Sequence, residues 1–408
     1  MTRRRLGGRL LAVALGLALA LAASEIALRV VAGRPGAADG SLGVSDPVLH
    51  HRYRPNGRKP IRGVEYATNS LGLRDREYAR AKPAGVFRIV MLGDSFTEGY
   101  TLALEDTVAK RVERALGSGA CAGRYEVINA GTGSYSPILE YLLLKHVALA
   151  LHPDLVVLNF DMTDVHDDWI RTRIARLDAD GRVVAVPSRP LQEAAMLMPP
   201  LALPSWAGVL RPLERAANHA AVYQVIRKSS LGARWLGPVK LTPERLEQLG
   251  LVGDIRYDIL AITRDGESPA LEQAWATTKR YIADVGALAR GAGAAFALVV
   301  YPHAHQVSAD ESPEGRRKFG IGPGLYASDR PFQILEELGR RAGFPVIDLG
   351  PIFRARARTD APLFRRTDIH HTPAGAKVFA EGVLAGLHEH WLVPGCATGD
   401  YPLVKATK

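Results

Sequence analysis

The chain has 408 residues and a formal net charge of +10, from 52 Lys and Arg against 42 Asp and Glu. Hydrophobic residues make up 47% of it and charged residues 23%, a composition that excludes disordered and fibrous proteins. It contains no zinc-finger spacing, no RNA-binding signature, no P-loop and no Gly-x-Gly-x-x-Gly motif after a strand. The sequence therefore predicts neither nucleic acid as a partner nor a nucleotide cofactor.

The N-terminal segment predicts export from the cytoplasm. An apolar run over residues 10–23 follows four arginines, Arg3, Arg4, Arg5 and Arg9. A run of this length is typical of a signal-peptide core, and Ala20-Leu21-Ala22 offers a cleavage site of small residues. The alternative, which we prefer, is an uncleaved signal-anchor over residues 1–32 in the inner (cytoplasmic) membrane. Under either interpretation the positive-inside rule places the rest of the chain in the periplasm.

Five short apolar runs that alternate with helical periods indicate a folded domain over residues 81–395. Residues 33–80 read as a linker and N-terminal extension, and residues 396–408 as a tail. The predicted strands are residues 86–92, 126–129, 155–159, 296–301 and 345–348, and the predicted helices are residues 105–116, 137–151, 271–290, 330–342 and 373–390. Strands alternating with helices predict an α/β fold, a parallel sheet with helices on both faces.

The connection over residues 161–269, between the third and fourth strands, is far longer than an ordinary loop. We expect it to carry helices that form a cap. Four of the five tryptophans lie in it or at its border: Trp169, Trp206, Trp235 and Trp275. Their rings either pack in the interior, which is the commoner role of Trp, or stack on sugar rings.

Residues with catalytic potential follow the predicted strands at the carboxyl edge of the sheet, where ligands bind in such folds. In Gly93-Asp94-Ser95, after the first strand, Ser95 is either a helix N-cap or a nucleophile whose backbone N–H helps to bind an oxyanion. Gly131, after the second strand, either forms a tight turn or lets the backbone approach a ligand and offer it an N–H donor. Thr163, after the third, is either a helix cap or an oxyanion donor.

Asp368 and His370 stand two residues apart, just before the last predicted helix. A serine nucleophile needs an adjacent base, and that base needs a carboxylate to orient it. In an extended loop, Asp368 and His370 can place a carboxylate and an imidazole side by side. These two residues and Ser95 together predict acyl-transfer chemistry.

Metal binding has weaker support in the sequence. Histidines after the fourth strand and polar residues after the third could bind a metal in principle: His303, His305, Asp164, His166, Asp167 and Asp168. However, a Ser-His-Asp site needs no metal. Acidic residues at the start of a helix are explained by their favourable interaction with the helix dipole. We therefore predict no metal and no cofactor. The two cysteines, Cys121 and Cys396, either form one disulfide in an exported protein or stay unpaired.

These motifs resemble the SGNH (GDSL-type) hydrolase superfamily of esterases and acyltransferases, over most of the chain. Residues 69–75 (NSLGLRD) and 153–158 (PDLVVL) are similar to its membrane-anchored bacterial branch. The C-terminal Thr-Asp-x-His-x-Thr-Pro-x-Gly-Ala, residues 367–376, is similar to the motif of exported alginate O-acetylation proteins. The resemblance implies a three-layer, flavodoxin-like fold with a five-stranded parallel sheet.

By the same resemblance Ser95 is the nucleophile, His370 its base and Asp368 the carboxylate that orients the histidine. The backbone N–H groups of Ser95 and Gly131 would bind the oxyanion, and Gly93 and Asp94 would support the nucleophile loop.

Two positions depart from the family pattern or leave it ambiguous. The family usually has Asn where this chain has Thr163, and the loss of one oxyanion donor can cost about 10²–10³ in rate. His371 has the commoner family spacing from Asp368, whereas His370 has the spacing of the alginate-type motif. We prefer His370 as the base.

The sequence thus predicts a serine esterase that forms an acyl-Ser95 intermediate on acyl or acetyl esters, expected to be those of carbohydrate. With a sugar hydroxyl as acceptor, the same first half-reaction would make it an O-acetyltransferase of a cell-surface or exported polysaccharide. A third alternative is a catalytically inactive carbohydrate-binding protein of the same fold, for which Thr163 is the only support. The expected partners are the acyl-ester substrate, a polysaccharide and, through the N-terminal segment, a membrane.

Overall fold

The computed structural model describes residues 3–32, 42–189, 192–193, 196, 243–264, 266–319, 321–322, 324 and 328–395. The chain divides into two compact units, one of residues 40–187 and 242–408, the other of residues 1–39 and 188–241. In the smaller unit, helix α1 spans Arg3–Ala32. Among the described residues, no helix combines the length and apolar character that crossing a membrane requires. The predicted anchor has no support in that finding, and export stays a prediction.

Eleven strands are found in the described part of the larger unit. They are β1 (Gly43–Asp46), β2 (His50–Tyr53), β3 (Arg58–Ile61), β4 (Val64–Ala67), β5 (Phe87–Gly93), β6 (Tyr125–Gly131), β7 (Leu155–Phe160), β8 (Arg176–Leu177), β9 (Val183–Ala185), β10 (Ala295–Val300) and β11 (Val346–Asp348). Three antiparallel pairs, β1–β2, β3–β4 and β8–β9, form separate hairpins. The other five strands form the central parallel sheet, in the order β11-β10-β7-β5-β6.

The central sheet confirms the predicted five-stranded α/β fold. Its inner strands are almost entirely apolar and buried, as expected for parallel strands that are covered on both faces. Gly93 lies opposite Gly131 in the β5–β6 register, and Val300 lies opposite Phe160 in the β10–β7 register. The carboxyl ends of these four strands therefore meet at one edge of the sheet.

Helices cover both faces of this sheet. In chain order they are α2 (Ser95–Glu98), α3 (Val108–Leu116), α4 (Pro137–His146), α5 (Asp164–Thr172), α6 (Pro243–Gln248), α7 (Pro269–Gly291), α8 (Ala304–Val307), α9 (Arg330–Ala342), α10 (Gly350–Arg356) and α11 (Pro373–Glu389). Helices α4, α5 and α7 pack together on one face, whereas α3, α10 and α11 pack on the other. Several begin at a side-chain cap, such as Thr372, which accepts a hydrogen bond from Gly375 at the start of α11.

The insertion predicted over residues 161–269 is described only in part. Helices α5 and α6 and the β8–β9 hairpin are described, but residues 197–242 lie outside the described residues, with Trp206 and Trp235 among them. Trp169 and Trp275 are both buried. The Trp275 ring stacks on Phe160, with ring centroids 6.0 Å apart. These two rings therefore pack in the interior, and the sugar-stacking alternative does not apply to them.

Two sequence expectations outside the sheet can be compared with the structure. Residues 43–67, expected to be linker and extension, form the two hairpins β1–β2 and β3–β4 and contribute to the larger unit. Cys121 is disulfide-bonded, so the unpaired alternative does not apply to it. Cys396 is the only other cysteine of the sequence and lies outside the described residues.

Candidate active site

Ser95 lies at the first position of helix α2, just after strand β5 of the central sheet. Asp94 caps this helix, because its Oδ1 accepts a hydrogen bond from the Phe96 N–H at 2.8 Å. Gly93 is required at the turn, since a Cβ there would lie 2.1 Å from Thr97 Oγ1. This turn leaves the Ser95 hydroxyl partly exposed at the carboxyl edge of the sheet.

The structure brings Ser95, His370 and Asp368 into one hydrogen-bonded chain. Ser95 Oγ lies 2.8 Å from His370 Nε2, and His370 Nδ1 bonds to Asp368 Oδ1. The backbone N–H of His370 also donates to Asp368 Oδ1, at 3.1 Å. The imidazole contacts the rings of Phe96 and Tyr100, with centroids 4.9 and 4.7 Å away. This geometry is the one that a serine nucleophile, its base and an orienting carboxylate require.

Asp368 is held in its ionised form. Burial opposes ionisation, but the hydrogen bonds from His370 and its electrostatic effect outweigh burial and lower the pKa of Asp368 to about 2. The Arg62 guanidinium, 3.7 Å from Asp368 Oδ2, acts in the same direction. Arg62 comes from the turn between β3 and β4, which the sequence analysis did not single out.

The loop that carries Asp368 and His370 is fixed by hydrogen bonds to its backbone. Ser312 Oγ donates to the Asp368 carbonyl at 2.9 Å, and Lys318 Nζ donates to the Thr367 carbonyl. The Arg365 N–H donates to the His370 carbonyl at 2.9 Å. These contacts set the spacing that lets the carboxylate and the imidazole lie side by side.

His371 lies in a different environment from His370. It is 2% exposed, and neither ring nitrogen has a hydrogen-bond partner among the described residues. Its ring packs against those of Phe96, Phe364 and Phe353, at 4.8, 5.0 and 5.3 Å between centroids. Burial lowers the pKa of His371 to about 3, with the neighbouring histidines adding to the effect. The structure therefore brings His370, and not His371, to the serine.

Two of the three predicted oxyanion donors are already hydrogen-bonded within the protein. The Gly131 N–H donates to Asn129 Oδ1 at 3.1 Å. The Thr163 hydroxyl donates to Asp161 Oδ1 at 2.5 Å, and the Thr163 N–H donates to the same oxygen at 2.7 Å. These bonds argue against the oxyanion roles predicted for Gly131 and Thr163. The Ser95 N–H belongs to the first turn of a helix, where such groups have no partner within the helix.

Gly131 has a packing role instead. A Cβ at this position would lie 2.2 Å from the backbone nitrogen of Glu98, so only glycine lets strand β6 approach helix α2 this closely.

The two histidines considered as metal ligands after the fourth strand each bond to another side chain. Asp161 Oδ2 pairs with His303 Nε2 at 2.7 Å, and both side chains are buried. Burial opposes the ionisation of Asp161, but His303 outweighs it and lowers the pKa of Asp161 to about 2. His305 Nε2 bonds to Thr263 Oγ1 at 2.9 Å. Within the part of the chain that the structure describes, no three His, Cys, Asp or Glu side chains form a group able to hold a metal ion.

The motif at residues 69–75 contacts the end of helix α2 directly. The buried Arg74 guanidinium donates to the carbonyls of Glu98, Gly99 and Leu102 at 2.8, 2.7 and 2.5 Å. Asp75 Oδ2 accepts the Asn129 N–H on β6 at 2.7 Å. The motif was visible in the sequence, but nothing in its residues indicated that it would contact the end of α2.

The C-terminal part of the chain matches a family model. Residues 263–403 match the SGNH hydrolase-like domain of the acetyltransferase AlgX. The predicted resemblance to SGNH hydrolases, with an alginate-type motif, is confirmed. The matched residues include Asp368 and His370 and begin after Ser95. Together with the hydrogen bonds that join Ser95, His370 and Asp368, the match supports an enzyme that hydrolyses esters or transfers acyl groups.

Comparison with solved structures returns esterases and a lipase at low identity. The acetyl xylan esterase AlAXEase is 13% identical, with 73% of this chain and 98% of that chain covered and a TM-score of 0.36. A mutant of the Axe2 acetyl-xylooligosaccharide esterase from Geobacillus stearothermophilus is 11% identical (76% and 99%, TM-score 0.37). A GDSL-like lipase from Bacteroides thetaiotaomicron is 14% identical (74% and 88%, TM-score 0.33). No match was found among curated proteins.

Proposed function

We propose that this protein is a serine esterase that hydrolyses acyl or acetyl esters of carbohydrate through an acyl-Ser95 intermediate. The observation that carries the proposal is the hydrogen-bonded chain from Ser95 through His370 to the ionised Asp368. A serine hydroxyl is a weak nucleophile by itself, and an adjacent imidazole with an oriented carboxylate is the common means of activating it.

The reaction follows from these contacts in two half-reactions. Ser95 Oγ attacks the acyl carbonyl while His370 Nε2 takes the hydroxyl proton, and Asp368 stabilises the imidazolium that forms. The Ser95 N–H donates to the oxyanion. As the intermediate collapses, the alcohol leaves with the proton from His370. Water, deprotonated by His370, then attacks the carbonyl of the acyl-Ser95 ester. The bond between the acyl carbon and Ser95 Oγ breaks, His370 returns the proton to Oγ, and the acid is released.

The second candidate is an O-acetyltransferase of a cell-surface or exported polysaccharide. The match of residues 263–403 to an acetyltransferase domain favours it. The first half-reaction is the same, and only the acceptor in the second differs, a sugar hydroxyl in place of water. The sugar hydroxyl would give its proton to His370 as its oxygen attacks the acyl-Ser95 carbonyl.

Hydrolysis of p-nitrophenyl acetate by the full chain tests the esterase proposal. We expect steady release of p-nitrophenol that Ser95→Ala lowers by at least about 10³-fold. The matched control is Ser118→Ala, which alters an exposed serine outside the site and should keep the wild-type rate. Equal rates for wild type and Ser95→Ala would refute the proposed nucleophile.

The same assay with oligosaccharides separates the two candidates. A burst of p-nitrophenol that stalls in water and resumes when oligosaccharide is added would favour the transferase. Mass spectrometry of the sugar should then detect one added acetyl group per transfer. Release that is steady in water and unaffected by sugar would favour the esterase.

We also propose that the enzyme acts outside the cytoplasm. The arginines before the apolar run support this, and so does the disulfide at Cys121, because disulfides persist mainly in oxidising compartments. Alkaline phosphatase fused to the C-terminus of the full chain should be active, whereas the same fusion without residues 1–32 should not. Equal phosphatase activity in both fusions would contradict export by this segment.

A further inference from the structure

Helix α2 begins at the serine and ends at a buried carboxylate that the triad does not use. Glu98 is 2% exposed, although it lies only three positions after Ser95. Its Oε2 accepts a hydrogen bond from the Tyr53 hydroxyl at 2.7 Å. Tyr53 belongs to strand β2, so this bond joins the nucleophile helix to the first hairpin.

The turn over residues 131–134, after strand β6, closes on the same two side chains. The Gly133 N–H donates to the Tyr53 hydroxyl at 3.4 Å. A Cβ on Gly133 would lie 3.1 Å from Glu98 Oε2. On the other side, the Gly133 carbonyl bonds to His51 Nε2 at 2.8 Å. The turn is thus held between α2 and the β1–β2 hairpin.

This turn borders the proposed site. Gly131 at its start lies opposite Gly93 in the sheet register and packs against the backbone of Thr97 and Glu98. The turn therefore leaves the sheet beside the strand that ends at the serine, at the edge where ligands bind in open parallel sheets.

We propose that Glu98 is a positioning residue, which through Tyr53 and Gly133 fixes the 131–134 turn as one wall of the acyl-binding site. The inference rests on the proposed function, because it assumes that Ser95 carries the acyl group. It assigns the first hairpin a role in turnover, although no residue of that hairpin belongs to the triad.

Glu98 also makes the wall sensitive to pH. The groups that face it are Tyr53 and Tyr66 from the hairpins, Arg74 from the motif after them, and the Gly133 N–H. Burial raises the pKa of Glu98 to about 7, against the opposing effects of Tyr53, Arg74 and Gly133. Above that pH the carboxylate accepts a hydrogen bond from the Tyr53 hydroxyl, which in turn accepts one from the Gly133 N–H. Below it one oxygen carries a proton, and the turn is held less firmly.

Tyr53→Phe tests the role of the hydrogen bond, with Tyr78→Phe as the matched control. Tyr78 is another tyrosine of the extension, whose hydroxyl donates to Asp75 Oδ2 at 3.0 Å. We expect Tyr53→Phe to lower kcat by about 10- to 100-fold with KM within about twofold, as a displaced wall would. Tyr78→Phe should lower the melting temperature by a similar amount while keeping kcat. Equal kcat for the two variants would overturn the inference.

Glu98→Gln tests the charge, because glutamine keeps the shape and an acceptor for Tyr53. Because glutamine carries no charge at any pH, we expect the kcat of Glu98→Gln at pH 8 to equal the reduced value that Glu98 protonation gives the wild type, a smaller loss than the about 10- to 100-fold of Glu98→Ala. The fall of kcat below pH 7 should involve one ionising group fewer in Glu98→Gln than in the wild type. An unchanged pH profile would exclude the titration of Glu98 from the mechanism.

Failure of this inference is distinguishable from failure of the proposed function. Ser95→Ala is assayed beside these variants. If it matches the wild type, the proposed function fails. If it is inactive while Tyr53→Phe and Glu98→Ala both keep the wild-type kcat, only the positioning role fails.

Discussion

His370 and His371 are adjacent in the chain, but their imidazoles lie in different surroundings. His370 bonds to Ser95 and Asp368, whereas His371 is enclosed by aromatic rings with no hydrogen-bond partner among the described residues. The sequence spacing allowed either residue as the base. The loop points the two side chains in different directions, and only His370 points towards Ser95. No local sequence pattern encodes that direction.

The two histidines predict opposite results on substitution. His370→Ala should lower kcat for p-nitrophenyl acetate by at least about 10³-fold, whereas His371→Phe should keep it within about threefold. His371→Phe should also change the pH dependence of stability. Burial lowers the pKa of His371 from 6.5 to about 3. Between about pH 3 and pH 6.5, therefore, the unfolded chain binds a proton at His371 and the folded chain does not.

The wild type should therefore lose stability as pH falls from about 6.5 towards 3, and His371→Phe should lose less. Urea unfolding at pH 7.5 and pH 5 measures the difference. A variant with the wild-type pH dependence, or one without esterase activity, would contradict the environment described for His371.

The N-terminal hairpins are the elements least visible in the sequence. Their strands are four residues long, and β2 and β3 contain no fully buried residue. Neither therefore shows the alternation of apolar and polar residues by which a strand is recognised. The segment that follows them is joined to the end of helix α2 by the buried Arg74 guanidinium.

Arg74→Lys tests the contact between the motif and α2. Lysine keeps the charge but cannot reach three carbonyls with a planar fork, so buried acceptors lose their partners. We expect the free energy of unfolding to fall by about 2–4 kcal/mol, measured by urea unfolding. Arg58→Lys is the control, because the Arg58 side chain is 76% exposed, and it should stay within about 0.5 kcal/mol. An unchanged free energy of unfolding in Arg74→Lys would show that the three hydrogen bonds do not stabilise the fold.

At the scale of the whole molecule, several buried Asp and Glu side chains lie near the edge of the central sheet where its strands end. Burial and mutual repulsion raise the pKa values of Asp94, Glu140 and Asp164 well above their usual range. Glu140 on α4 is fully buried, and neither of its carboxyl oxygens has a partner among the described residues. Such a group is stable in the folded chain only while it is protonated.

Glu140 therefore makes the folded state sensitive to alkaline pH. Its raised pKa means that the folded chain keeps a proton that the unfolded chain releases above about pH 4.5, so stability falls as pH rises. Glu140→Gln removes that titration. We expect its free energy of unfolding, relative to the wild type, to increase between pH 5 and pH 8, by at most about 1.4 kcal/mol per pH unit. Glu105→Gln, at a 74% exposed side chain, should show no such trend, and the same flat result for Glu140→Gln would refute the prediction.

The sequence by itself determined the central fold and the candidate residues for the triad. The five strands of the sheet were predicted because buried parallel strands are continuous apolar runs, as in β7 (Leu155–Phe160). Ser95, Asp368 and His370 could be predicted because each lies directly after a strand or before a capped helix. That position depends on chain order and on the shared carboxyl edge of a parallel sheet, and both can be derived from local patterns.

The tertiary structure alone decided which groups remain available around that triad. Gly131 and Thr163 have the residue types of oxyanion donors, but their N–H and hydroxyl groups are taken by Asn129 and Asp161. Arg62, which lies beside Asp368, and Tyr53, which bonds to Glu98, belong to hairpins from a distant part of the chain. Hydrogen-bond satisfaction and burial depend on which segments meet in space, and such long-range contacts leave no periodicity in the sequence.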